Sequence, residues 1–359
     1  MNRTALVVLS GVFGLSVLTV IAQQPQAQPP AADAAPPIVD PPDKPTWAYA
    51  VAPGAGIAGA PRGNRGAGGT PPAGQPGGRQ GRGTPDPTPR SMPGSKFTFT
   101  TAEVRNGFAP ADWFPEDHPS MPDIVAHGHQ PDVRACGFCH MPNGKGRPEN
   151  APVAGLPKGY IVQQLLDFKT GARKTAELRK PNDMGNLAPF MTDKDIDDAA
   201  AYFSSMAWTQ WIRVVETDTV KKTRVAGQMY HLVVDDTTEP IGVRIVEAPE
   251  DESLEALRAP RSGFVAYVPT GAIKKGEELV TTGGGKTTPC AVCHGPDLRG
   301  VATIPGLANR SPSYLGRQLW DFKTGARNGA MAALMKPVVE KLTNEDIVNI
   351  LAYTASRKP

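Results

Sequence analysis

Three patterns of apolar and polar positions divide the 359-residue chain. The first is Ala5 to Ala22, an uncharged and mostly apolar run of 18 residues after the short basic start Met1-Asn2-Arg3. It ends in Val20-Ile21-Ala22, small where a signal peptidase reads, and so predicts export. The run is also just long enough to span a bilayer, so residues 5–22 could act as an uncleaved anchor. No Cys follows it, which excludes a lipoprotein anchor, and nothing else in the sequence is apolar enough to span.

The second pattern has helical spacing. Tyr160, Val162 or Gln163, Leu166 and Phe168 predict a helix that Gly171 stops. Thr192 and Thr343 are suitable N-caps with acids in the first turn. The helices they open are expected to bury Ile196, Ala200 and Phe203 in one case, and Ile347, Leu351 and Tyr353 or Thr354 in the other. The third pattern alternates with period two in Trp211 to Val215, Arg224 to Val234 and Ile241 to Val246. Gly227 and Gly242 act as breakers and Asp235-Asp236-Thr237-Thr238 as a turn, which predicts a small β-rich insert over 211–270. A few strands alone are marginal, so the insert is expected to pack on one or both helical parts.

The helical parts repeat. Tyr160-Ile-Val-Gln-Gln-Leu-Leu-Asp-Phe-Lys-Thr-Gly-Ala-Arg173 recurs as Tyr314-Leu-Gly-Arg-Gln-Leu-Trp-Asp-Phe-Lys-Thr-Gly-Ala-Arg327, at an offset of 154. Thr192 to Tyr202 matches Thr343 to Tyr353 at 151, so the first copy is three residues longer in the loop between its helices. The shared Asp-Phe-Lys-Thr-Gly-Ala-Arg reads mainly as a helix end.

Composition changes the picture before residue 96. Gln23 to Ser95 holds 17 Pro and 13 Gly in 73 residues, with Trp47 and Tyr49 as its only aromatics. Such a segment buries too little apolar surface to offset the entropy of ordering it, and predicts a disordered linker over 23–95. The net charge of +3 is confined to the first 95 residues, where −1 over 1–50 and +4 over 51–95 leave 96–359 neutral. A neutral body excludes nucleic acid as a partner.

Four Cys are the whole complement, in two identical frames: Cys136-Gly137-Phe138-Cys139-His140 and Cys290-Ala291-Val292-Cys293-His294, again 154 apart. Two disulfides or a zinc site would not explain a His after both pairs. Cys-x-x-Cys-His attaches haem c: each thiol adds to a vinyl group, and the His carried under the porphyrin by the same turn supplies a nitrogen to iron. Cys136, Cys139, Cys290 and Cys293 are therefore covalent attachment points for two haems, with His140 and His294 as axial ligands.

For the sixth position the 151 register superposes Met184 on Met335 and Met191 on Leu342. Met184 and Met335 are thus the ligand candidates, in irregular, Pro-containing stretches. Met191 fills a core slot, and Met331 pairs with Lys180. The other His residues available are His118, His127, His129 and His231; His127 and His129 compete with Met184, while His231, inside a strand pattern, reads as exposed or core. Pro152 and Pro305, 12 and 11 residues after the motif His, could orient the imidazoles through their carbonyls.

With its Cys-x-x-Cys-His, following Pro, Tyr-x-x-x-Gln-Leu-x-x-Phe-x-x-Gly-x-Arg, Met, Thr-Asn-Glu-Asp-Ile and Ala-Tyr, the chain resembles a class I cytochrome c in its tandem diheme, cytochrome c-four form. The resemblance runs from Cys136 to about Met206 and from Cys290 to about Arg357. It implies a mainly α fold with haem domains over 96–210 and 271–359, His and Met axial ligands, and a periplasmic electron carrier, not an enzyme, that serves dehydrogenases or a terminal oxidase. The insert and the N-terminal segment depart from that pattern. Two alternatives stand beside the carrier: a cytochrome subunit of a dehydrogenase complex, and a diheme peroxidase-like enzyme.

Overall fold

The computed structural model describes residues 40–50, 86–226 and 230–359. The expected signal or anchor run and most of the expected linker lie outside the described residues, as does Gly227. The described chain is mainly α-helical and Asp40–Pro359 forms one compact unit.

In the first haem domain α1 (Cys136–His140) leads through a long loop to α2 (Lys158–Lys169) and α3 (Asp193–Ser204). In the second, α4 (Ala272–Thr282) precedes α5 (Ala291–His294), α6 (Pro312–Lys323), α7 (Ala332–Val339) and α8 (Asn344–Ser356). Capping boxes start both terminal helices: Thr192 pairs with Asp195, and Thr343 with Asp346, side chain to backbone in each direction. Ile196, Ala200, Phe203, Ile347, Leu351, Tyr353 and Thr354 are all buried as expected.

On α2 the buried stripe is Ile161 and Leu165, while Leu166 is 37% exposed. The expected stripe was one residue out of phase because this helix is covered on two sides. One side meets α3; Tyr160 and Gln164 on the other meet the second domain. The domains also differ at their N-terminal ends. In the second, α4 crosses α8 so closely that a Cβ on Gly276 would lie 1.9 Å from the Asn349 carbonyl oxygen. In the first, only the turn Asp123–Ala126 stands in that place.

The insert holds β1 (Ile212–Thr217), β2 (Thr219–Ala226), β3 (Tyr230–Pro240), β4 (Val246–Pro249) and β5 (Phe264–Pro269). β5 lies between β1, which it pairs in parallel, and β4, which runs antiparallel. Trp211, Ile212, Phe264 and Ala266 share one core with Ile347 and Leu351 of α8, so the sheet packs on the second domain. β2 and β3 form an antiparallel ribbon. Asp235 to Thr238 is not a turn. It lies within β3 at a register shift, where Lys221 pairs with Thr238 but Thr223 with Val233, and the surplus residues bulge. The strand expected over Ile241 to Val246 starts instead at Val246.

Two parts of the expected linker are ordered. Residues 90–91 pair with 98–99, and Met92 is buried with Trp113, Phe114 and Ala259, so the expected boundary at 95 falls inside a small cluster docked on the insert. Trp113 Nε1 donates to the Leu257 carbonyl at 3.0 Å. The turn Thr46–Tyr49 is the larger correction: Trp47, Ala48 and Tyr49 join the core of the second domain. Average composition over 73 residues hid a short segment, Pro-Thr-Trp-Ala-Tyr, dense enough in apolar surface to dock.

Candidate functional site

Each Cys-x-x-Cys-His turn faces an apolar cavity. The first is lined by Cys136, Cys139 and His140 together with Leu165, Phe168 and Met184, and the second by Cys290, Cys293 and His294 with Leu319, Phe322 and Met335. The His140 Nδ1–H donates to the Ala151 carbonyl at 2.8 Å, and the His294 Nδ1–H to the Pro305 carbonyl at 2.7 Å. A carbonyl only accepts, so Nδ1 carries the proton and Nε2 keeps a lone pair for a metal. Burial holds both imidazoles below their ordinary range, which keeps them neutral. Burial also pushes the Cys136 thiol up to about 12 and Cys290 to about 11. Paired thiols on one turn, an unprotonated nitrogen beside them and an apolar wall suit haem c, and Cys136, Cys139, Cys290 and Cys293 would hold it with His140 and His294.

The orienting carbonyl in the first domain is Ala151, not Pro152. Ala151 is the true partner of Pro305 at the 154 offset, one residue before the expected Pro. Pro152 has another use: its carbonyl accepts from Arg310 Nη1 at 2.6 Å. Arg310 is 3% exposed, also bonds the carbonyls of Gly306 and Ala154, and stacks over Trp208. One buried guanidinium thus fastens the loops behind both motif His residues, at the cost of a pKa that burial pulls down to about 10.

Met184 and Met335 are both half-buried and line opposite cavities. Neither stands in irregular chain. Met184 lies in a turn, Asp183–Leu187, capped by Asn182, and Met335 within α7, which contains Pro337. Met331 also lines the second cavity but is 53% exposed, and Met191 is buried at the start of α3. The other His residues line neither cavity. Each is bonded elsewhere: His118 to Asp112, His127 to the Phe108 carbonyl, His129 to Asp195 and His231 to Thr223.

The two cavities have a wall in common, and Tyr160, Gln164, Tyr314 and Gln318 line both. Arg173 donates to Gln164, Gln318 and Tyr314. Arg327 repeats this with the domains exchanged, donating to Gln318, Gln164 and Tyr160. Asp321 of the second domain lines the first cavity, and Asp167 of the first lines the second. The repeated Asp-Phe-Lys-Thr-Gly-Ala-Arg is therefore an interface element as well as a helix end. Its signal was present in the sequence, as polar Tyr, Gln and Arg kept at the same places in both copies.

The profile of the cytochrome c family matches residues 128–207 and 273–358. Cytochrome c4 of Stutzerimonas stutzeri is 27% identical over 239 residues, 64% of this chain and 87% of that protein. Cytochrome c-554(548) of Halomonas halodenitrificans is 41% identical over 70 residues, 19% of this chain and 84% of that protein. A protein described as a thiosulfate dehydrogenase electron acceptor, also from Stutzerimonas stutzeri, is 23% identical over 232 residues, 64% of this chain and 82% of its own. With its two attachment turns on two such domains, the chain belongs to the cytochrome c family, as a diheme electron-transfer member of the c4 type that binds two haem c groups covalently.

Proposed function

We propose that this cytochrome relays single electrons in series, entering at one haem site, crossing the common wall and leaving at the other toward a second redox protein. The wall supports the reading most directly, because residues of each domain line the cavity of its neighbour. Haem c supplies the reversible one-electron couple. His140 and His294 would offer Nε2 to iron from carbonyl-fixed rings, and Met184 and Met335 would offer thioether sulfur. A thioether favours ferrous iron and closes the distal face, which suits outer-sphere transfer rather than substrate binding.

The donor is read as a dehydrogenase, supported by the description of the Stutzerimonas electron acceptor. Working on its own as a carrier and working as a bound subunit of a dehydrogenase are both compatible with that description, and co-purification from the native host separates them. The export-like run over 5–22 supports a periplasmic location, either free or held at the outer face of the inner membrane. Among the described residues no helix is long and apolar enough to cross a membrane.

The relay is tested on protein matured in a host that attaches haem c. Intact mass and pyridine haemochrome should give two haems per chain. After a substoichiometric pulse of reductant, electrons should redistribute between the haems at a rate independent of protein concentration. Redistribution that scales with concentration would sink the relay.

A further inference from the structure

We infer that Glu255, an acid of the inserted module, takes up one proton when the first haem site is reduced and releases it when that site is reoxidised. The inference rests on the electron-transfer reading of that site. Asp251 caps the short helix Glu252–Ala256 by accepting from the Ser253 and Leu254 amides, and so turns Glu255 inward. There it meets the loop that follows α1. Arg147 Nη2 touches Glu255 Oε1, Arg147 Nε lies 3.3 Å from Glu149 Oε1, and the guanidinium stacks 4.7 Å over the Tyr230 ring.

The cluster is buried and incompletely hydrogen-bonded. The side chains of Arg147, Glu149 and Glu255 are 9%, 7% and 4% exposed. Arg147 Nε, Glu149 Oε2 and Glu255 Oε1 make no hydrogen bond, so the ion contacts lack alignment. Both carboxylates contact the same guanidinium, that of Arg147. Arg258 also acts on Glu255 while its contacts go to the carbonyl and ring of Phe138, and Lys180 acts on Glu149. A carboxylate oxygen held out of water without a hydrogen bond is costly, and a proton taken up from solvent relieves it.

The groups that face Glu255 are Arg147, Glu149, Arg258 and Tyr230. Burial raises its carboxyl to about 7, Arg147 and Arg258 opposing and the like charge of Glu149 adding to the rise. It is thus poised where a modest change in local charge moves its proton.

That change comes from the attachment turn around which the cluster is wrapped. Glu149 and Asn150 line the first cavity, and Asn150 Nδ2 donates to the Cys139 carbonyl at 2.9 Å. Glu149 and Arg258 both act on the Cys139 thiol. Reduction brings one electron from an outside donor into this cavity, and one proton passes from water to the Glu255 carboxylate. Reoxidation returns the electron to an acceptor and the proton to water. At the 154 offset Arg147 and Glu149 correspond to Val301 and Thr303, so the second site lacks this pair and serves as an internal control.

The test is a spectroelectrochemical titration of the full diheme protein across neutral pH. One of the two one-electron waves should fall as pH rises, toward the limit of about 59 mV for each tenfold change in proton activity that one proton per electron sets. Glu255→Gln should flatten that wave alone. Glu149→Gln should keep its slope and move it to lower pH, because a like charge has gone. Two reversible waves independent of pH, or an unchanged slope in Glu255→Gln, would overturn the proposal. A protein with no reversible one-electron waves would overturn the electron-transfer reading, and this proposal with it. If Glu255→Gln fails to mature, the reduced-minus-oxidised infrared spectrum of the unaltered protein decides. A protonated-carboxyl C=O band should grow on reduction and shift in heavy water, and its absence refutes the assignment.

Discussion

Arg173 and Arg327, 154 residues apart in sequence, face one another across an antiparallel backbone bridge, and each sends its guanidinium into the other haem domain. The Lys174 amide donates to the Ala326 carbonyl at 2.7 Å and the Asn328 amide to the Ala172 carbonyl at 2.8 Å, which fixes the bridge from both sides. Each arginine is 6% exposed and bonds only neutral oxygens, with an aromatic ring from its own repeat beneath it. The domains are joined by a reciprocal lock, and each half is useless without the other.

Arg327→Ala should therefore leave Gln164, Gln318 and Tyr160 short of donors in a buried wall. The expected loss of stability is about 2 kcal/mol, the scale of a buried group left unsatisfied. Denaturant unfolding checks this, followed separately through each haem. Loosening of the lock should also separate two transitions that coincide in the unaltered protein.

Met184→Ala should remove the near-infrared sulfur-to-iron charge-transfer band of one haem, and Met335→Ala that of the other. Met331→Ala should leave both bands, since its side chain is mostly in solvent although it borders the second cavity. Near-infrared spectra of the oxidised variants distinguish these outcomes, and a band that survives Met335→Ala would move the assignment to Met331.

A chain beginning at Lys96 behind a foreign signal peptide should be clearly weakened relative to one that begins at Asp40 behind the same signal peptide. Trp47 Nε1 donates to Asn344 at 3.0 Å, Tyr49 Oη to Asp321 at 3.0 Å, and Lys44 bridges Asp40 and Glu177. Trp47→Ala alone should cost about 3 kcal/mol, in line with a large aromatic lost from a core. Thermal melts of the two shortened chains and of Trp47→Ala would check the order of effects.

The fourth expectation concerns acid. Burial, aided by Arg244 and opposed by Glu239, lowers His231 to about 4 from its ordinary 6.5. The unfolded chain takes up this proton as pH falls through the ordinary value, while the folded chain resists until about 4. Stability contributed by neutral His231 is therefore lost progressively over that window. In His231→Gln the melting temperature should fall less steeply with acidification. Parallel melts of the two proteins between neutral pH and the lower limit measure the difference.

What could be read from the sequence was whatever a local rule controls. The two Cys-x-x-Cys-His turns follow from residue type and spacing, and the Thr192 and Thr343 capping boxes from positions three residues apart. The places of Met184 and Met335 on opposite cavities follow the register of the repeat. What escaped depends on contacts distant in sequence. The Arg173 and Arg327 guanidiniums reach partners more than 140 positions away. Pro152 looked like the orienting carbonyl because two proline-bearing loops resemble each other, yet the 154 offset selects Ala151. The acid cluster gave no signal, because Glu149 of the first domain and Glu255 of the insert come together only when the module folds onto the first attachment turn.

The docked turn at Thr46–Tyr49 also orders events in time. Its tie from Trp47 to Asn344 spans 297 residues. At a synthesis rate of about 5–20 residues per second, roughly 15–60 s pass between the appearance of the two partners. Until α6 and α8 have both been made Trp47 and Tyr49 lack part of the core they dock on, and until α6 is made the second half of the common wall does not exist. Cys136 and Cys139 are already present, on a turn whose cavity is still open on one side. Arrival of α6 completes the lining of that pocket, and the last helix then ties down the Thr46–Tyr49 turn.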